Sequence, residues 1–235
     1  ITDTPILISA VTDPAASGLV DSNEAPGANI TGTSDLTPVS SQIEMIQKLV
    51  PDAKTIGVFY TSSETNSKLQ ADMAIEAGEA LGYEMQTYTV SQTSEIQQVV
   101  ESMIGKVDAV YIPTDNLLAS NMPTVSMVAN QAKLPVICGE SGMVENGGLI
   151  TNGINYFDLG VLTGKQAAEI LEGADPATMP IEYCPEDSYT YTVNEDTAAE
   201  IGIEIPEEFL QDSEEVETEA STETAEETET ESAAE

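Results

Sequence analysis

Apolar runs that never alternate with polar residues constrain this chain more than any other feature. The segments 5–11, 55–60, 109–113 and 135–138 are of this kind, and strands built from them need cover on both faces. Helical stretches separate them. The first, 38–49, opens with Thr37-Pro38 and carries Ile43, Ile46, Leu49 and Val50 at helical spacing. Others follow at 66–81, ended by Gly82, at 93–104 and at 117–132, while 85–90 adds another strand. Such alternation predicts an α/β protein with a doubly wound parallel sheet. Beyond it, 148–154 reads as a short strand, 156–172 as a long helix ended by Gly173, 188–193 as a half-exposed strand, and 195–201 as helical turns behind Asn194. These elements exceed the needs of one five-stranded sheet and imply a second lobe.

Charge narrows the function. The 235 residues include 42 acids, six lysines and neither Arg nor His, for a formal net charge of −36. Lysines at 48, 54, 68, 106, 133 and 165 are too few and too scattered for a phosphate-binding stripe, so nucleic acid is not expected as a partner. Without His, and with Cys138 and Cys184 as the two cysteines, neither a His-centred triad nor a zinc site can be built, and no metal or cofactor is expected. The cysteines read as a buried thiol and a loop residue, with a bridge between them the alternative in an oxidising compartment. From Asp212 the last 24 residues hold 11 acids and almost nothing to bury, so 212–235 is expected to be a disordered acidic tail.

Ligands of open α/β sheets bind beyond the carboxyl ends of the strands. Here those ends are polar: Thr12 and Asp13 follow the first run, Ser62, Ser63 and Asn66 the second, Thr114, Asp115 and Asn116 the third, and Glu140 the fourth. Helix capping is the plain alternative for any one of them. With no Arg and no lysine at a strand end, an anionic group has to be met by hydroxyls and backbone N–H groups, as in the 62–67 segment where a helix begins. An ammonium has Asp13, Asp115 and Glu140 to choose from. A zwitterion such as a free amino acid suits both ends. Nucleotide-binding, P-loop and nucleophile-elbow signatures are absent from the sequence, and no catalytic residue is assigned.

Several stretches in order carry a resemblance. Ile8-Ser9-Ala10-Val11-Thr12-Asp13-Pro14, Asn29-Ile30-Thr31-Gly32-Thr33-Ser34-Asp35, the 56–67 and 107–116 segments, and Gly147-Gly148-Leu149-Ile150-Thr151-Asn152-Gly153-Ile154-Asn155-Tyr156 resemble substrate-binding proteins of bacterial ABC importers, in the branch assigned to tryptophan, tyrosine or related small ligands. The resemblance spans residues 5 to about 209, and Asn155 stands where the family usually has Asp. It implies a periplasmic-binding-protein-like α/β fold of two Rossmann-like, doubly wound lobes joined by three crossovers, the first lobe incomplete in this chain. Residues 1–39 are then the end of the first lobe and a crossover, 40–152 the second lobe, 153–184 the return to the first, and 185–211 the end of the second. Tyr156 joins the expected ligand contacts. Also implied are a membrane permease as partner and an extracytoplasmic location as a cell-surface lipoprotein whose signal peptide and anchor lie outside this chain. A ligand-sensing regulator or receptor domain of the same fold is the competing reading, and a Rossmann-like enzyme a more distant one.

Overall fold

The computed structural model describes residues 3–211 and 213–215. Two sheets organise them. The smaller is three-stranded in the order β1 (Ile6–Ile8), β2 (Ile30–Ser34), β8 (Glu182–Tyr183), all parallel. The larger has seven strands in the order β10 (Ser213–Glu215), β9 (Thr190–Val193), β7 (Ile150–Gly153), β6 (Val136–Cys138), β5 (Ala109–Ile112), β3 (Thr55–Thr61), β4 (Glu84–Val90). Its pairings are parallel except β7 with β9.

Helices α1 (Val39–Leu49), α2 (Thr65–Ala80), α3 (Ile96–Met103), α4 (Asn116–Ala119), α5 (Met122–Gln131), α6 (Ser141–Glu145), α7 (Tyr156–Leu171), α8 (Glu195–Ile201) and α9 (Glu207–Leu210) connect or cover the strands. The runs that form β3, β5 and β6 have the two-sided burial their composition demands, whereas the run expected over 5–11 does not: Ile6–Ile8 of β1 are only half-buried. Ile56, Val58 and Tyr60 of β3 join Ile43 and Ile46 of α1 in one core, while Phe59 joins Met103, Leu118 and Met122 in a second core on the other face. Each fully buried aliphatic or aromatic side chain of this kind contributes about 1.5–3 kcal/mol relative to exposure.

Several boundaries differ from the sequence reading, each for a local reason. The first strand is expected over 5–11 but ends at Ile8, since Ala10 takes a left-handed φ of 57° that no strand accommodates. The helix expected over 117–132 is two helices, broken at Ser120 and Asn121 and restarted with Pro123 in its first turn. Residues after Gly139, read as a loop, form α6 behind the Glu140 cap. Ser213–Glu215 falls inside the stretch expected to be disordered, yet pairs with β9. The remainder of that expectation, 212 and 216–235, lies outside the described residues. Cys138 and Cys184 are both buried and free, so the bridge is not formed.

Helix α7 packs on the small sheet: Thr163 Oγ1 lies 2.7 Å from Thr33 Oγ1 and 3.1 Å from Ser9 Oγ. Its other side leaves Phe157, Val161 and Leu171 exposed. No helix among the described residues is long and apolar enough to cross a membrane.

Candidate functional site

The carboxyl ends of β3, β5 and β6 share one rim, and the polar residues there differ in how their side chains are engaged. Asp115 is 1% exposed; Thr61 N donates to its Oδ2 at 2.6 Å, and Thr61 Oγ1 and Leu118 N donate to Oδ1 at 2.8 and 2.9 Å. With both oxygens so engaged it caps α4 and pins β3.

In the 62–67 segment the polar side chains have internal partners as well. Asn66 Nδ2 donates to Thr114 O at 3.0 Å, and Ser62 Oγ to Val90 O at 3.2 Å, while Ser63 stays exposed. Glu64 stands at the start of α2 and accepts from Asn116 N, Asn116 Nδ2 and Leu117 N at 3.0, 2.7 and 3.0 Å. Although burial opposes it, these donors hold the Glu64 carboxyl below its ordinary value. A carboxylate kept ionised at this helix start disfavours a second anion there, so Asn116 serves Glu64. Asp13 likewise turns inward on its own loop, accepting from Ala16 N at 3.0 Å and Asn23 Nδ2 at 2.9 Å. Thr114 keeps a buried Oγ1 with no hydrogen-bond partner among the described residues.

Thr12, Glu140 and Tyr156 are brought together, and they converge on a residue the strand-end reading missed. Asp35, directly after β2, is 5% exposed. Thr12 Oγ1 donates to its Oδ1 at 2.9 Å, Tyr156 Oη to its Oδ2 at 3.5 Å, and Ser34 Oγ ties the same corner by donating to Thr12 O at 2.7 Å. Glu140 reaches the corner from β6. It caps α6, accepting from Gly142 N at 2.7 Å and Met143 N at 2.8 Å.

Burial raises the Asp35 carboxyl despite its hydrogen bonds. Burial raises Glu140 as well, with the Glu145 and Asp35 charges adding to it. Tyr156 is pushed far up, first by burial and then by the Asp35 and Glu140 carboxylates. Among the described residues the lysine ion pairs are Lys48 with Glu208 and Lys68 with Asp72, both at 2.7 Å and on the surface. Among the described residues, buried Asp35 and half-buried Glu140 both act electrostatically on the Tyr156 hydroxyl and neither is paired with a lysine, an arrangement that favours a cation. The strand-end rule applied to residues 30–34 points to Asp35, but Thr31, Gly32 and Thr33 conceal that strand.

Gln42 of α1 fixes the approach. Fully buried, its Nε2 donates to Asn152 O at 2.7 Å and Gly139 O at 3.1 Å, holding the two segments that lead to Tyr156 and Glu140. A cavity of about 200 Å³ lies beside Tyr156, between the starts of α6 and α7 and the ends of β7 and β9.

Comparison with known proteins fits this architecture. Residues 1–217 match the model of the ABC transporter substrate binding protein family. A tyrosine-binding protein of Clostridioides difficile (strain R20291) is 44% identical over 195 residues, 83% of this chain and 56% of that protein. The chain thus spans about half the length of the curated relatives it matches. The crystal structure of an ABC domain in complex with L-Trp from Streptococcus pneumonia superposes with a TM-score of 0.85 at 40% identity, over 92% of this chain and 72% of that one. A ligand-free, open substrate binding protein with adhesive properties from Clostridium difficile gives a TM-score of 0.75 at 43% identity, over 93% of this chain and 73% of that one. The fold is α/β and periplasmic-binding-protein-like. On the family match and these relatives, the chain belongs to the ABC transporter substrate binding proteins.

Proposed function

We propose that this chain is the ligand-capturing part of an ABC importer and binds an amino acid with an aromatic side chain between two lobes. One lobe is built on the small sheet with α7, the other on the seven-stranded sheet. The observation that carries the reading is the Tyr156 hydroxyl on Asp35, with the Glu140 charge also acting on it and no lysine paired to either acid among the described residues: an α-ammonium supplies the missing cation. The L-Trp complex and the tyrosine-binding relative support an aromatic ligand.

Binding without chemical conversion is part of the proposal, supported by the binding-protein family and relatives the chain matches. Delivery to a membrane permease, an extracytoplasmic location and a lipid anchor outside this chain complete the proposal. Closure of the lobes over the ligand commits it for transfer.

A thermal-shift screen of the natural full-length protein carrying this chain tests it. L-tryptophan or L-tyrosine at 100 times its Kd should add about 2.7 kcal/mol of stability, and the same ring on a propionate lacking the ammonium should add almost none. A shift with sugars or nucleosides and none with amino acids would overturn the reading.

A further inference from the structure

Among the described residues the chain passes between the two sheets three times: over 35–38 from β2 to α1, over 154–155 from β7 to α7, and over 184–189 from β8 to β9. The first two passages carry the polar corner, since Asp35 begins one and Tyr156 directly follows the other. Their roots are joined at Asn152, near the end of β7. Its Nδ2 donates to Ser41 Oγ of α1 at 2.9 Å, and its carbonyl accepts from Gln42 Nε2 at 2.7 Å. Across the antiparallel ladder it pairs with Tyr191 of β9, just past the third passage. All three passages are thus rooted at one residue of 8% exposure.

Beyond that root the second and third passages have a core of their own. Ile154, Leu159 and Cys184 form a third buried cluster, with Tyr189 packed against it. The first passage contributes nothing to this cluster, so its alignment with the second depends on the grip of α1 upon Asn152. Two bonds make that grip, and they differ in kind. Gln42 bonds the backbone carbonyl, which any residue at 152 supplies, whereas Ser41 needs the Asn152 side-chain amide. We infer that Ser41 and Asn152 are a positioning pair, whose bond sets Asp35, six residues before Ser41, against Tyr156, four residues after Asn152. The inference rests on the Asp35–Tyr156 corner holding the ligand's ammonium, and it gives neither member of the pair a contact with the ligand.

Two measurements on the natural full-length protein decide it: titration calorimetry with whichever of L-tryptophan and L-tyrosine binds more tightly, and the distance between spin labels on Glu24→Cys and Glu76→Cys. Both label positions are exposed, one beside the small sheet and one on α2, while Cys138 and Cys184 are buried. Ser41→Ala and Asn152→Ala should each weaken binding roughly three- to tenfold and broaden the distance distribution of the unliganded protein. The double variant should lose no more than either single one, since both remove the same bond, and Ser41→Thr, which keeps the hydroxyl, should restore affinity and distance. Should Asn152→Ala fail to fold, Ser41→Ala with its threonine rescue settles the matter. Variants that only lower the melting temperature, leaving affinity and distance as they were, would overturn the pair while leaving the ammonium corner standing, as would losses that add in the double variant. Absence of binding by either amino acid in the unmodified protein would instead remove the ammonium corner, and the positioning role with it.

Discussion

The Tyr111 hydroxyl donates to Gln42 Oε1 at 2.7 Å, and neither side chain has any exposure to solvent. This pair joins the middle of the sheet to α1, and the other end of the same amide holds Gly139 O and Asn152 O. Tyr111→Phe leaves one buried acceptor unpaired and should cost about 1–3 kcal/mol in chemical denaturation. Gln42→Leu orphans the tyrosine hydroxyl and two carbonyls at once, so its loss should exceed that of Tyr111→Phe.

Acidity should act oppositely on the empty and the loaded protein. Burial raises the Asp35 and Glu140 carboxyls, so between the ordinary carboxylate value of about 4 and the raised values the folded state binds more protons than the unfolded one. Stability of the unliganded protein is then fully present below that ordinary value and is lost as pH rises through the raised ones. As pH falls through those raised values towards the ordinary one, the melting temperature without ligand should rise, while affinity for an ammonium-bearing ligand falls over the same interval because the ionised acids are what it pairs with.

Asp35→Asn separates these effects at a single pH. Removal of a buried charge should raise the melting temperature of the unliganded protein at pH 7, and loss of a charge-assisted bond should weaken an amino-acid ligand by about 1.5–3 kcal/mol. A variant that is both less stable and unchanged in affinity would place Asp35 in the framework.

Asp115→Ala should show the reverse pattern. Its two oxygens take three donors from Thr61 and Leu118, so stability should fall by about 1–3 kcal/mol, measured by denaturation. Ligand affinity at a temperature where the variant stays folded should remain within about twofold, since a lost cap does not touch the ligand.

Lys133 closes α5 with a left-handed φ of 57°, its N–H donating to Asn130 O at 2.9 Å. The same backbone conformation costs a lysine about 1–2 kcal/mol more than a glycine. Lys133→Gly should therefore raise the melting temperature, offset in part by the greater freedom of glycine in the unfolded chain.

Residues 55–60 declare a strand buried on both faces because no polar residue interrupts them, and Phe59 and Val58 indeed enter opposite cores. Strand-end position alone also points to Thr12 and Glu140. The division of the acids into caps and site is a different matter. Asp115, Glu64 and Asp35 are equivalent as sequence, each a carboxylate beside a turn, and what separates them is the number of donors that distant backbone brings within reach. Asp35 is further hidden because Thr31, Gly32 and Thr33 lack the apolar signal of a strand. They form one by parallel pairing with β1, where Gly32 lies so close to Ile8 O that a Cβ would collide. Gln42 shows the same limit from inside the core. On a helix face its polarity reads as exposure, whereas three segments far apart in the chain supply the hydrogen bonds that let it be buried. The chain's own pattern of apolar residues determined which segments are strands and helices, since burial of that pattern is local in origin. Only the tertiary structure decided how Asp115, Asp35 and Gln42 are satisfied, because their partners Thr61, Thr12, Gly139 and Asn152 lie tens of residues away.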